Sequence, residues 1–270
     1  MDKSNNSLTN ALTILKSFSM DKPEQGVTEI AENLNIGKST VHRLLLSLGS
    51  EGFVYKDPNS NQYSLGTSLL SLTNIVNSQL PIVNESIPIL NVLTERTGET
   101  SHLGILEEEH IIYLQKIESE NPVELSTHIG MRQPIHATSI GQVILAYLNE
   151  KTMNKLLPEK LEKFTDKTIT TRDQLKMKLS VITQQHFVIC VEEYENGFAS
   201  IAAPVFDEAG QVIAAVSIVG PMNRIMKKIK QKAFIEEVRS AAGKLSEIIK
   251  IRRRKRYCEK FLKEGSISST

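Results

Sequence analysis

The chain of 270 residues has only two cysteines, Cys190 and Cys258, and they form no CxxC pair. That excludes a disulfide framework and fits a reducing compartment. No apolar run approaches the ~20 residues that a membrane-spanning helix requires. The opening MDKSNNSLTN lacks a basic stretch followed by an apolar one. No secretory signal is therefore expected, no membrane association either, and the expected location is the cytoplasm. Internal repeats and low-complexity segments are also missing.

Positive charge is scarce where a nucleic-acid binder would want it. Residues 1–80 hold 6 Lys/Arg against 7 Asp/Glu, a net −1. Residues 81–220 carry a net −8 and residues 221–270 a net +10, so the overall +1 hides a strong asymmetry. What is present is ordinary for a globular protein with a real core: 40% hydrophobic and 23% charged residues.

Leu8, Ala11, Leu12, Leu15 and Phe18 recur at helical spacing and predict an opening amphipathic helix. Pro23 and Gly26 break it, and Thr28 is expected to cap a second helix carrying Ile30, Ala31 and Leu34. A tight turn at Asn35-Ile36-Gly37 leads into a third, with Val41, Leu44, Leu45 and Leu48 buried. Strands are expected at 53–55 and 62–65, joined by a turn-rich tip.

Two helices around a glycine turn, followed by a hairpin, suit a winged helix-turn-helix over residues 26–63. Lys38, Ser39, Thr40, His42 and Arg43 would stand near the N-terminus of the recognition helix. Arg43 can donate two bonds to guanine, Ser39 and Thr40 can reach a phosphate or base edge, and Lys56 on the wing can meet a phosphate. The same residues also suit a plain helical hairpin within a larger fold; the near-zero charge counts against DNA, while the clustering of the few basic groups at one helix tip and on the wing counts for it.

Leu69, Leu70, Leu72, Ile75 and Val76 predict a helix able to link two domains, with Pro81 as the boundary. Beyond it, helices are expected at 87–97, 139–148, 151–157 and 172–185, and a long one at 235–261. Strands are expected at 101–106, 111–117, 123–128, 187–193, 198–206 and 212–219. The turn Asp207-Glu208-Ala209-Gly210 makes the last two an antiparallel hairpin. The mixture reads as an α+β fold. Domains are expected at 1–66 (DNA-binding), 67–80 (linker helix), 81–256 (effector-binding) and 257–270 (tail).

Gly130 and Pro134 suggest an irregular loop, and Thr138 or Ser139 can cap the helix that follows. A helix N-terminus offers unpaired amides and a partial positive charge, which suits a carboxylate. His128 and His136 are too far apart to make a metal site with Glu124, and no metal or cofactor is expected. Cys190 lies in the apolar run Phe187-Val188-Ile189-Cys190-Val191, where a thiol is usually buried and inert. The run 250–256 (KIRRRKR) is either an anion-binding patch or a solvated helix end. Three functions remain on these grounds: a ligand-responsive DNA-binding regulator, a small-molecule-processing enzyme with an appended helix-turn-helix, and a DNA-architectural protein.

Several blocks narrow the choice. They are Thr28-Glu29-Ile30-Ala31, 38–45 (KSTVHRLL), Gly52-Phe53-Val54, Tyr63-Ser64-Leu65-Gly66, 130–141 (GMRQPIHATSIG), 200–207 (SIAAPVFD) and 214–221 (AAVSIVGP). In them the chain resembles the IclR-type (isocitrate-lyase regulator) family of transcription regulators, from about residue 8 to residue 250.

The resemblance implies an N-terminal winged domain, a linker helix, and a larger GAF-like domain with a mixed or antiparallel sheet and flanking helices. It implies no catalysis, homodimers or dimers of dimers on palindromic double-stranded operators, and a small organic-acid effector. It adds Thr28 to the DNA contacts. For the effector it implies Ser139, Ile140 and Gly141 at the helix start, Cys190 and Ser200 on a strand pair, Ser217 and Val219 on the last strand, and Leu125 as an apolar wall. Two positions depart from acid-sensing members. Cys190 stands where an Asp is found, and Val219 stands where a Ser is found. Glyoxylate and pyruvate are therefore not implied.

Overall fold

A computed structural model describes residues 6–120, 127–229 and 232–265, with the backbone alone for residues 253–265. The chain divides into two compact units, residues 1–80 and 81–270.

The first unit opens with α1, Ser7–Ser17, capped by Asn6, whose side chain accepts from the Thr9 amide at 2.7 Å. α2 spans Val27–Leu34 and α3 spans Lys38–Ser50. Thr28 does not cap α2. The cap is Gly26, whose carbonyl accepts from Ile30 at 3.0 Å, so the helix starts two residues early and Thr28 sits exposed in its first turn. Asn35 ends α2 in the left-handed region at φ 52°, a conformation Asn tolerates because its short polar side chain bonds locally. Ile14, Phe18, Ile30, Val41, Leu44 and Leu45 meet with Val54 and Tyr63 in one core.

The wing has three strands where two were expected. β1 (Glu24–Gln25), β2 (Val54–Lys56) and β3 (Tyr63–Leu65) pair antiparallel in the order β1-β3-β2. Gln25 is buried and its side chain donates to the Ser17 carbonyl at 2.9 Å, which ties the wing to α1. A Cβ on Gly66 would lie 2.0 Å from the Gly52 carbonyl oxygen, so only glycine lets the wing close against the end of α3. α4, Ser68–Gln79, buries no residue.

In the second unit α5 (Pro81–Thr97) leads to β4 (Thr100–Glu107), β5 (His110–Ile117) and β6 (Arg132–Pro134). Then come α6 (Ser139–Ala146), α7 (Glu150–Leu156), α8 (Arg172–Gln185) and β7 (Val188–Val191). The hairpin β8 (Phe198–Phe206) and β9 (Val212–Pro221), then α9 (Met222–Ile229) and α10 (Ala233–Gly265), complete it. The expected strand at 123–128 falls mostly on residues outside those described. The irregular loop expected at 130–134 instead contains β6.

Every pairing in the described sheet is antiparallel, in the order β6-β5-β4-β9-β8-β7. α6 packs on one face with α8 against it, and α5 and α10 pack together on the sheet. A sheet covered this way must bury successive residues, which is why β8 and β9 read as nearly continuous apolar runs. Among the described residues no helix is long and apolar enough to cross a membrane.

Candidate DNA interface and ligand cavity

Helix α3 buries Val41, Leu44 and Leu45 and leaves Lys38, Ser39, His42 and Arg43 exposed, while Thr40 is half-buried. Ser39, His42 and Arg43 follow the three- and four-residue spacing of one helix face. That face is the one a major groove would receive. Arg43 also reaches across to α1, with its guanidinium 3.5 Å from the Ser7 hydroxyl. Lys38 lies 4.0 Å from Glu32, an exposed pair of little energetic weight.

On the wing, Lys56 is exposed and stands 5.8 Å from the centroid of the Tyr63 ring. The tip is held by Asp57, which accepts from the Asn59 amide and the Ser60 hydroxyl at 2.9 Å each. Those bonds hold its carboxyl below the usual range.

The second unit contains a cavity of about 70 Å³ between the sheet and the start of α6. One water requires roughly 10–15 Å³ on this measure, so the space suits a molecule of a few heavy atoms. Its floor follows from period-two alternation. Ala202 and Ala215 pack into the core under α6, and side chains two residues away share their face. Ser200 on β8, and Ser217 with Val219 on β9, therefore line the cavity, with Cys190 beside them on β7. The register pairs Ser200 with Cys190 and Val219, and Ser217 with His102.

The roof is the N-terminus of α6. Thr138 caps it, accepting from the Gly141 amide at 3.3 Å and donating to the Pro134 carbonyl at 2.9 Å. Ser139 is buried on the cavity wall. Ile140 and Gly141 are not on that wall. Ile140 belongs to the core, and Gly141 presses so closely on the preceding loop that an added Cβ would lie 2.0 Å from the Ile135 carbonyl oxygen. Leu125 is outside the described residues.

Residues that sequence reasoning missed complete the wall: His102, Tyr113, Thr127 and Gln133, with Glu192 to Glu195 at the β7–β8 turn. His102 lies opposite Ser217 in the sheet, a pairing that only the register reveals. Buried His102 is 3.0 Å from the Thr127 hydroxyl, and burial, aided by the Lys116 charge, lowers its pKa to about 3. It is a neutral imidazole at any physiological pH.

Behind the wall, Gln142 donates to the Glu193 carboxylate at 2.7 Å and accepts from the Cys190 thiol at 3.3 Å. Lys178 pairs with Glu193 at 2.5 Å and lies 3.7 Å from the Cys190 sulfur. Burial disfavours the Lys178 ammonium, but the Glu193 carboxylate beside it outweighs that and raises its pKa. Burial pushes the Cys190 thiol well above its ordinary value, which keeps it protonated. Of the two histidines weighed for metal, His136 is bound to the Glu162 carbonyl at 2.9 Å. No described cluster of His, Cys, Asp or Glu is placed to hold a metal ion. The basic run lies on α10, where Arg252 pairs with Glu85, and the side chains that follow are outside the described set.

Comparison with known proteins gives the same two parts. A model for the IclR helix-turn-helix domain matches residues 7–58, and one for the bacterial transcriptional regulator IclR C-terminal domain matches residues 75–247. The chain is 33% identical over 244 residues to the HTH-type transcriptional regulator XynR of Escherichia coli, covering 90% of this chain and 96% of that one. It is 32% identical over 250 residues to the regulator KdgR of the same organism, covering 91% and 94%. The solved structure of Thermotoga maritima IclR superposes with a TM-score of 0.75 at 28% identity, covering 90% and 98%.

Proposed function

This chain belongs to the IclR family of bacterial transcriptional regulators, and from that premise we propose that it is a sequence-specific regulator whose hold on a palindromic operator is set by a small organic acid. The family carries a helix-turn-helix DNA-binding domain and a C-terminal ligand-binding domain. For DNA, the supporting observation is the exposed polar face of α3, Ser39, His42 and Arg43, with Lys56 on the wing and Thr28 and Lys38 nearby in sequence. For the effector, it is the capped start of α6 meeting hydroxyls in a small cavity.

The amides of Ser139 and Ile140 are those the Thr138 cap leaves over, and they would receive a carboxylate with the Ser139 and Ser217 hydroxyls beside them. Cys190 and Val219 would pack against its carbon skeleton. On this reading the cavity binds rather than transforms its ligand, which the buried, protonated Cys190 thiol supports. Few cations serve each protomer, so two are needed on DNA. The exposed apolar row of Leu72, Ile75 and Val76 on α4 supplies a surface for a second copy.

A mobility-shift titration with DNA from upstream of its own gene tests the reading. Specific binding should exceed binding to scrambled DNA by at least a thousandfold at moderate salt. Equal affinity for the two would overturn it.

A further inference from the structure

The cavity has one polar group whose chemistry nothing among the described residues satisfies. Gln133 is 1% exposed and lies on the cavity wall. Its amide nitrogen donates to the Met131 sulfur at 3.2 Å, but its carbonyl oxygen is buried with no hydrogen-bond partner among the described residues. Turning the amide over would not help. The oxygen would then face a thioether, which has no proton to give, and the nitrogen would be the orphan. A buried acceptor left unpaired is costly, so its retention beside an empty space points to a donor supplied from outside.

The other end of the cavity restricts what that donor can be. Among the described residues the wall contains no Lys or Arg, and it contains the carboxylates Glu192, Glu193 and Glu195. Glu193 is neutralised by Lys178, but Glu192 and Glu195 have no ion pair among the described residues. His102 cannot add a cation, being neutral above about pH 3. A ligand with two carboxylates would thus find one favourable end, at α6, and repulsion at the other. A ligand with hydroxyls would find acceptors in Gln133 and in the glutamates.

We propose that Gln133 is a specificity-determining residue, whose carbonyl oxygen accepts a hydroxyl of the effector, so that the cavity selects hydroxylated monocarboxylates over both dicarboxylates and unsubstituted acids. This rests on the reading that the start of α6 takes a carboxylate. The acidic turn sets the second half of the selection by disfavouring further negative charge.

Matched acids of equal chain length test it by calorimetric titration of the full-length protein. Glycerate, propionate and malonate form one set, and threonate, butyrate and succinate another. The hydroxy acid of at least one set should bind at least tenfold more tightly than its two partners. In Gln133→Met, which removes the orphan while keeping the bulk, affinity for that hydroxy acid should fall at least tenfold and affinity for the unsubstituted acid should stay within twofold. Equal binding of the three acids by the wild type, or an unchanged preference in Gln133→Met, would overturn the role of Gln133 and leave the carboxylate site standing. Tighter binding of the dicarboxylate would overturn the exclusion argument. If no acid of either set binds, the carboxylate reading fails and this inference with it.

Discussion

The Gln142 side chain on α6 donates to the Glu193 carboxylate at the end of β7 across 2.7 Å, joining the roof of the cavity to its acidic wall. Lys178 on α8 completes the link from the other side at 2.5 Å. The first prediction concerns this buried triad. Lys178→Met leaves Glu193 with Gln142 as its main support and should cost about 2–3 kcal/mol in urea unfolding. The double variant Lys178→Met with Glu193→Gln should recover at least half of that, because it removes the stranded charge. No recovery would mean that the lysine acts through packing alone.

His102 predicts a dependence on acid. Its folded pKa of about 3 lies below the unfolded value of 6.5, so both states are neutral above pH 6.5. Below that the unfolded chain takes a proton that the folded one refuses. Stability is thus present at neutral pH and lost as pH falls, by about 1.4 kcal/mol for each unit between 6.5 and 3. His102→Gln removes this contribution. From pH 7 to pH 5 the wild type should lose about 2 kcal/mol more than the variant, and parallel curves would contradict the assignment.

Gly141 is required by close approach rather than by backbone angle. An added methyl would meet the Ile135 carbonyl at 2.0 Å, backbone against backbone. Gly141→Ala should destabilise the protein by about 3 kcal/mol, at the upper end of overpacking costs. The measurement is a melting curve of the second unit's transition. A shift within error would show that the loop yields.

Most of the fold was legible, and the misses have local causes. Helix α8 and strand β8 were found at their true bounds because capping and apolar runs are strong signals at both. β1 and β6 have two and three residues and exist only through partners distant in sequence, so no local period marks them. α9 buries Ile225 alone and is anchored by Arg224, whose guanidinium grips buried Glu99 at 2.5 Å. A contact 125 residues away leaves no trace in a window of ten. At the site, the serines and Cys190 came from resemblance, whereas His102 and Gln133 required the sheet register. Ile140 and Gly141 also came from resemblance; the Ile140 side chain belongs to the core and Gly141 packs against Ile135, so at these positions the backbone rather than a side chain is nearest the cavity end of the helix.

On the DNA side, two substitutions should differ in kind. Arg43→Ala should cost about 1–3 kcal/mol at one base position per half-site and relax the preference there. Lys56→Ala should weaken all sequences alike and lower the salt slope by about 1 per protomer. Uniform weakening by Arg43→Ala would make it a phosphate contact instead.

The central claim is that a ligand in the α6 cavity governs the grip of α3 on DNA. By linkage, an acid that changes DNA affinity must have its own affinity changed by DNA to the same degree. The decisive measurement is operator affinity of the full-length protein with and without a saturating amount of the best-binding acid. The account predicts a change of at least fivefold, abolished when Ser139→Val blocks the cavity. The same affinity with and without acid, for an acid shown to bind, would contradict it.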